Sequence, residues 1–190
     1  MLGQTPRKRA DAVRNRARIL SVAGALFAER GADQVTMDDV AAAAGVGKGT
    51  LYRRFGDQAG LALALLEEHE IRLQAAVLHG PPPLGPGAAP GDRLTAFLGA
   101  LADLLEAHLD LYLRSEAGAA RYRSGAYRFW RLHTRLLVAA ANPKLDADYL
   151  ADALLAPLEA EHYRHLRQHR ELDLERVRTG IQQLARATVG

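Results

Sequence analysis

The chain predicts an all-α fold of about nine helices, with a three-helix N-terminal domain over residues 11–58 and a helical bundle over 59–190. Two features of composition and one of patterning lead there. The sequence holds 36 Ala and 31 Leu against 12 Val and Ile together, so it favours side chains that lose little rotamer freedom in a helix. An apolar share of 48% with 25% charged residues suits a folded core and excludes a disordered chain. Apolar residues recur every three or four positions, and Gly or Pro interrupts that rhythm wherever a helix should stop.

The same inventory removes several functions. With no Cys, there is no disulfide framework, no thiolate metal site and no thiol nucleophile. Only Ser21, Ser115 and Ser124 occur, none within a Gly-x-Ser-x-Gly elbow, which leaves covalent acyl transfer without a candidate. The longest apolar stretches, such as residues 61–66, fall far short of the ~20 residues a membrane span needs. The basic N-terminus lacks a following apolar segment, so the expectation is a cytoplasmic protein without a membrane partner.

The first helix is expected over 11–30, where Ile19, Leu20, Ala23, Leu26 and Phe27 form one buried stripe, and Gly31 ends it. Thr36 precedes Met37-Asp38-Asp39 and can cap a second helix whose first turn places carboxylates at the positive end of the dipole. That helix runs to about Ala44 and stops at Gly45-Val46-Gly47; a third covers residues 48–55 and is closed by Gly56. Two short helices joined by a three-residue turn form a helix-turn-helix. Ala41 allows close crossing, Gly45 supplies the positive φ of the turn, and Val40, Ala44, Val46 and Leu51 supply the apolar contacts. A generic α-hairpin is the competing description. Against it, the third helix carries Lys48, Arg53 and Arg54 with no acid. The run Gly45 to Thr50 is not a phosphate-binding loop, because Gly49 rather than Ser or Thr follows Lys48 and Ala42 occupies the place of the first glycine.

Charge is distributed unevenly. Residues 1–60 hold 10 Lys/Arg against 6 Asp/Glu, a net of +4, while residues 61–190 hold 15 against 16, a net of −1. Much of the excess lies in Arg7, Lys8, Arg9, Arg14, Arg16 and Arg18, a run that reads either as a phosphate-contacting arm or helix start or as a solvated tail.

The set Arg18-Ile19-Leu20, Ala23, Leu26-Phe27, Gly31, Thr36, Val40-Ala41, Ala44-Gly45-Val46, Gly49-Thr50-Leu51-Tyr52 and Phe55 resembles the N-terminal DNA-binding domain of TetR/AcrR-type transcriptional regulators over about residues 14–61. Where that pattern usually has Lys-Glu, this chain has Gln58-Ala59. The resemblance implies a homodimeric regulator, a repressor, that binds a palindromic operator in double-stranded DNA and is released by a small-molecule effector, with no enzymatic activity and no cofactor. Lys48 would reach base edges, Thr50 and Tyr52 bases or backbone, and Thr36, Tyr52, Arg53 and Arg54 phosphate, with Gly49 also among the DNA-binding residues.

Beyond this domain, Leu61, Leu65, Leu66, Leu73 and Val77 mark a connecting helix over 57–79, and the Pro/Gly-rich residues 80–91 a loop. Leu94, Leu98, Leu101, Leu105 and Leu109 mark a long helix, with a break expected near Gly118. An aromatic segment then leads into a helix ending at Asn142-Pro143. Phe97, Tyr112, Tyr127, Trp130 and His133 either line an effector pocket or fill core. The last two helices, over 146–169 and 174–187 with Pro157 as a kink or a boundary, carry Leu154, Leu155, Leu158 and Leu166 and then Val177, Ile181 and Leu184. These stripes serve a dimer seam or close the subunit core. His162, His165 and His169 lie at i, i+3 and i+7, so a metal-binding or enzymatic helical bundle using that face is the alternative function, although a solvated face explains the spacing equally.

Overall fold

The protein is described by a computed structural model covering residues 6–31, 34–115 and 120–190. Every regular element among these residues is helical. The arm side chains of Arg7, Lys8 and Arg9 and the break near Gly118 lie outside the described residues. The chain divides into two compact units, residues 1–66 and 67–190.

In the first unit, α1 (Pro6–Arg30) begins several residues earlier than its apolar stripe indicated, because the basic segment continues the helix. Ile19, Leu20 and Ala23 are buried on one face. α2 (Met37–Ala43) and α3 (Lys48–Phe55) follow as expected. Between them Gly45 takes φ 60°, the left-handed region that penalises a Cβ, while the Val46 N–H donates to the Ala41 carbonyl at 3.0 Å. Val40, Ala41, Ala44 and Leu51 bury the contact between the pair. The first turns of α4 (Gln58–His79) complete this unit. Its Leu65 lies so near Gly24 that an added Cβ would meet it at 3.5 Å.

The second unit is organised around α5 (Pro90–Ser115), which packs against α7 (Gly125–Ala141), α9 (Ala160–Arg164) and α10 (Leu174–Val189). Leu94, Phe97, Leu98, Leu101 and Ala102 are fully buried along it. Each such large side chain contributes about 1.5–3 kcal/mol when removed from water. α6 (Ala120–Arg123) is a single turn. α8 (Ala147–Leu155) ends where Pro157 forces a 3-10 turn, Ala156–Leu158, so of the kink or boundary expected there the structure has the boundary. Arg121, buried to 3% exposure, spans that break by donating to the Leu158 carbonyl at 2.7 Å and the Leu155 carbonyl at 3.3 Å. Two irregularities had no marker in the sequence. His108 leaves helical geometry inside α5, with φ −138° and ψ 25°, and α9 passes into a π-turn over His165–His169.

Candidate nucleic-acid interface

Local sequence sets the entrance to α2. Thr36 Oγ1 accepts from the Asp39 N–H at 3.2 Å, and Asp39 Oδ2 accepts from the Thr36 N–H at 2.9 Å, a reciprocal cap that satisfies two otherwise unpaired donors. The Thr36 hydroxyl also donates to Asp39 Oδ2 at 2.6 Å. These bonds from Thr36, side chain first and backbone second, hold the Asp39 carboxyl below its ordinary pKa. The Thr36 hydroxyl is thus committed to its own helix as well as placed on the candidate face.

α3 turns Leu51 and Phe55 inward and leaves Lys48, Gly49, Tyr52, Arg53 and Arg54 exposed, with Thr50 half-buried. Its N-cap Gly47 supplies no side-chain bond, so no side chain of that residue caps the first amides of the helix. The Lys48 ammonium pairs with Asp38 of α2, and that hydrogen bond raises its pKa. Arg54 is exposed on α3. Its Nη1 donates to the Ala12 carbonyl of α1 at 2.8 Å, so it ties α3 to α1. Gln58, at the position where a cation would be usual, donates from Nε2 to the Val35 carbonyl at 2.9 Å and fastens the start of α4 to the loop before α2.

Of the two forms expected for the basic run, an arm or a helix start, the fold gives the helix start and brings part of it beside the turn. Arg14 and Arg18 line an open hollow of about 570 Å³ together with Asp11, Asn15, Gly45, Val46, Gly47 and Thr50. Arg14 pairs with Asp11, and Arg18 donates to Asn15 Oδ1 at 3.0 Å. Only the tertiary packing of α1 over the turn puts these cations near Thr50.

In the second unit the expected pocket residues are interior. Phe97 and Tyr112 are fully buried, and Trp130, Tyr127 and His133 keep 2%, 6% and 8% exposure. Phe97 meets His133 edge-on at 4.8 Å between ring centroids, and Tyr112 lies 6.2 Å from Trp130. The Tyr112 hydroxyl donates to Glu70 Oε1 at 3.2 Å. Burial, reinforced by the Arg93 charge, pushes the His133 imidazole down to about 4. His133 Nε2 and the neighbouring Thr134 Oγ1 are buried without a partner. Tyr127 faces elsewhere, lining an open cleft of about 1030 Å³ with Arg121, Tyr122, Arg131 and Asp152. There its hydroxyl donates to Asp152 at 2.9 Å, and burial followed by that bond raises its pKa to about 12.

The residues expected at a dimer seam are mostly spent within one copy. Leu154, Leu155, Leu158, Val177 and Ile181 keep at most 5% exposure, because α8 and its 3-10 turn pack with α7 and α5 while α10 packs along α5. Leu166 is half-buried, and Leu184, 45% exposed, is the member of the set that faces outward. The histidine face does not converge either. The rings of His162 and His165 lie 6.5 Å apart and those of His165 and His169 5.5 Å apart. Among the described residues no group of three or more His, Asp or Glu side chains is placed to hold a metal ion. A network missed in the sequence lies nearby: Arg167 grips Glu106 through Nη2 at 2.7 Å and Nε at 2.8 Å, and the Tyr163 hydroxyl donates to the same carboxylate at 2.9 Å. Its members lie 57 to 61 residues apart in sequence, beyond the reach of any local pattern.

Residues 19–65 match the family model for bacterial regulatory proteins of the tetR family. An HTH-type transcriptional regulator of Staphylococcus aureus is 41% identical over 59 residues, which is 31% of this chain and 32% of that protein. The chain thus matches about a third of the length of its curated relatives. Among solved structures, a TetR-family transcriptional regulator from Streptomyces coelicolor has a TM-score of 0.64 at 20% identity, covering 99% of this chain and 96% of the other. A Saccharomonospora viridis protein in complex with choline has a TM-score of 0.66 at 22% identity, covering 90% and 95%. At these identities the structural likeness concerns the fold: an N-terminal helix-turn-helix followed by a helical bundle.

Proposed function

From its tetR-family helix-turn-helix domain, we propose that this chain is a cytoplasmic, non-enzymatic transcriptional repressor that binds a palindromic operator as a homodimer and releases it when a small molecule binds the second unit. The observation that carries the reading is α3, whose apolar side is seated by Leu51 and Phe55 while Lys48, Gly49, Tyr52 and Arg53 stand outward. A helix of this kind enters the major groove, where an ammonium donates to guanine O6 or N7 and a guanidinium or phenol grips phosphate. Thr50 and the hollow beside it add a backbone contact from the α1 side, with Arg14 and Arg18 within reach of a phosphate. One copy of so short a helix buries little DNA surface; two-fold symmetry doubles it and makes the site palindromic.

Release by an effector requires that the effector prefer the conformation that does not fit DNA. Supporting an effector site in the second unit are the partnerless buried His133 Nε2 and Thr134 Oγ1, which a ligand oxygen or nitrogen would satisfy, with Phe97 edge-on to His133 and with Tyr112 and Trp130 buried in the same unit. The related fold with choline is a precedent for small-molecule occupancy. The test is selection of bound fragments from random DNA by the full-length protein, followed by binding of the enriched duplex over a salt series. The expected result is an inverted-repeat sequence and a binding constant that falls steeply with salt. Enrichment of no sequence overturns the proposal.

A further inference from the structure

The two neighbouring carboxylates that open α2 have different partners. Asp39 closes the reciprocal cap with Thr36, and that cap is complete without Asp38. Asp38 instead meets the Lys48 ammonium at the first position of α3, ten residues along the chain. Both side chains are exposed, 53% for Asp38 and 66% for Lys48, and an exposed pair of this kind adds little to stability. On a surface that faces phosphate a carboxylate is repelled, and α3 itself carries no acid.

We infer that Asp38 is a specificity-determining residue: its carboxylate holds the Lys48 ammonium on the reading face and withholds it from indiscriminate phosphate contact. The inference rests on the reading of α3 as the DNA-contacting helix. On a random duplex, Lys48 must leave Asp38 to reach a phosphate, which strands a negative charge against the DNA backbone. On the correct sequence the ammonium, with three donors, keeps one on Asp38 and gives another to a guanine edge. Discrimination then arises from a repulsive element that only the cognate site relieves.

The experiment compares full-length wild type, Asp38→Asn, Lys48→Ala and the double variant on two duplexes of equal length, one selected from a random library by the wild type and one of random sequence, over a salt series. Asp38→Asn is expected to tighten random-duplex binding about three- to tenfold, to lower the ratio of selected to random affinity by a similar factor, and to steepen the random-duplex salt dependence by about one ion. In the Lys48→Ala background the same change should have little effect. An unchanged ratio in Asp38→Asn overturns the inference while leaving the DNA-binding reading intact. An equal gain with and without Lys48 also overturns it, since the carboxylate then acts by plain repulsion. Failure of the wild type to select any DNA overturns both. Thermal melting of each variant separates loss of fold from loss of contact.

Discussion

The two units present opposite relations between the residues a sequence marks out and where those residues lie. In the first unit the marked residues are polar and surface-facing: Lys48, Gly49, Tyr52 and Arg53 stand on the open side of α3 while Leu51 and Phe55 anchor it. In the second the marked aromatic and most of the marked aliphatic residues are interior, with Trp130, Tyr112, Leu154 and Ile181 all within the packing of α5, α7, α8 and α10. A helix-turn-helix is specified by residues a few positions apart, each constrained by local backbone geometry, so its outer face follows from its inner one. An apolar stripe in a bundle says only that something covers it. Neighbouring helices and a second copy satisfy the same periodicity.

The largest expected effect tests the interior side of this contrast. Leu154→Ala should cost about 2–5 kcal/mol of unfolding free energy, independent of protein concentration in chemical denaturation. A loss that shrinks as concentration rises would return Leu154 to a seam between copies. Next is Lys48→Ala, expected to weaken the selected operator by about 1–3 kcal/mol and to relax preference at one base position; an equal loss on random DNA would make Lys48 a phosphate contact instead.

His133 supplies a smaller effect with a definite sign. Burial and the Arg93 charge lower its folded pKa to about 4, whereas an unfolded histidine titrates near 6.5. Between those values the unfolded chain binds more protons, so stability is full above about pH 7 and declines as pH falls toward 4. From pH 7.5 to 5.5 the decline due to this group is on the order of 1 kcal/mol. Denaturation at the two pH values should show it, and His133→Gln should flatten the slope. The smallest effect on stability belongs to Leu184→Lys, within about 0.5 kcal/mol, because that side chain is 45% exposed. The same variant is expected to weaken the proposed dimer in sedimentation equilibrium, and an unaltered association constant would place the seam away from α10.

Much of the first unit was legible because capping and turn chemistry act over three to five residues. Thr36 with Asp39, the positive φ of Gly45 and the bounds of α3 all follow from adjacent residue types. Arg54 was legible as a cation but not in its partner, since the Ala12 carbonyl lies 42 positions away. Gln58 was legible as a departure from the usual Lys but not in its partner, the Val35 carbonyl 23 positions away. The Pro157 break was readable from the missing amide, whereas the turn of His108 out of helical geometry, with its ring 3.8 Å from that of His69, had no local cause in the sequence.

The residue order alone determined an all-helical chain, the positions at which most helices stop, and which side of α3 is polar, because each depends on backbone entropy, amide capping and a 3.6-residue period acting locally. Tertiary structure alone decided that Arg14 and Arg18 flank the turn, that Asp38 engages Lys48, and that the leucines of α8 and its 3-10 turn belong to the subunit's own core. Those outcomes depend on which apolar faces meet, and hydrophobic burial rewards area removed from water without regard to the identity of the covering surface.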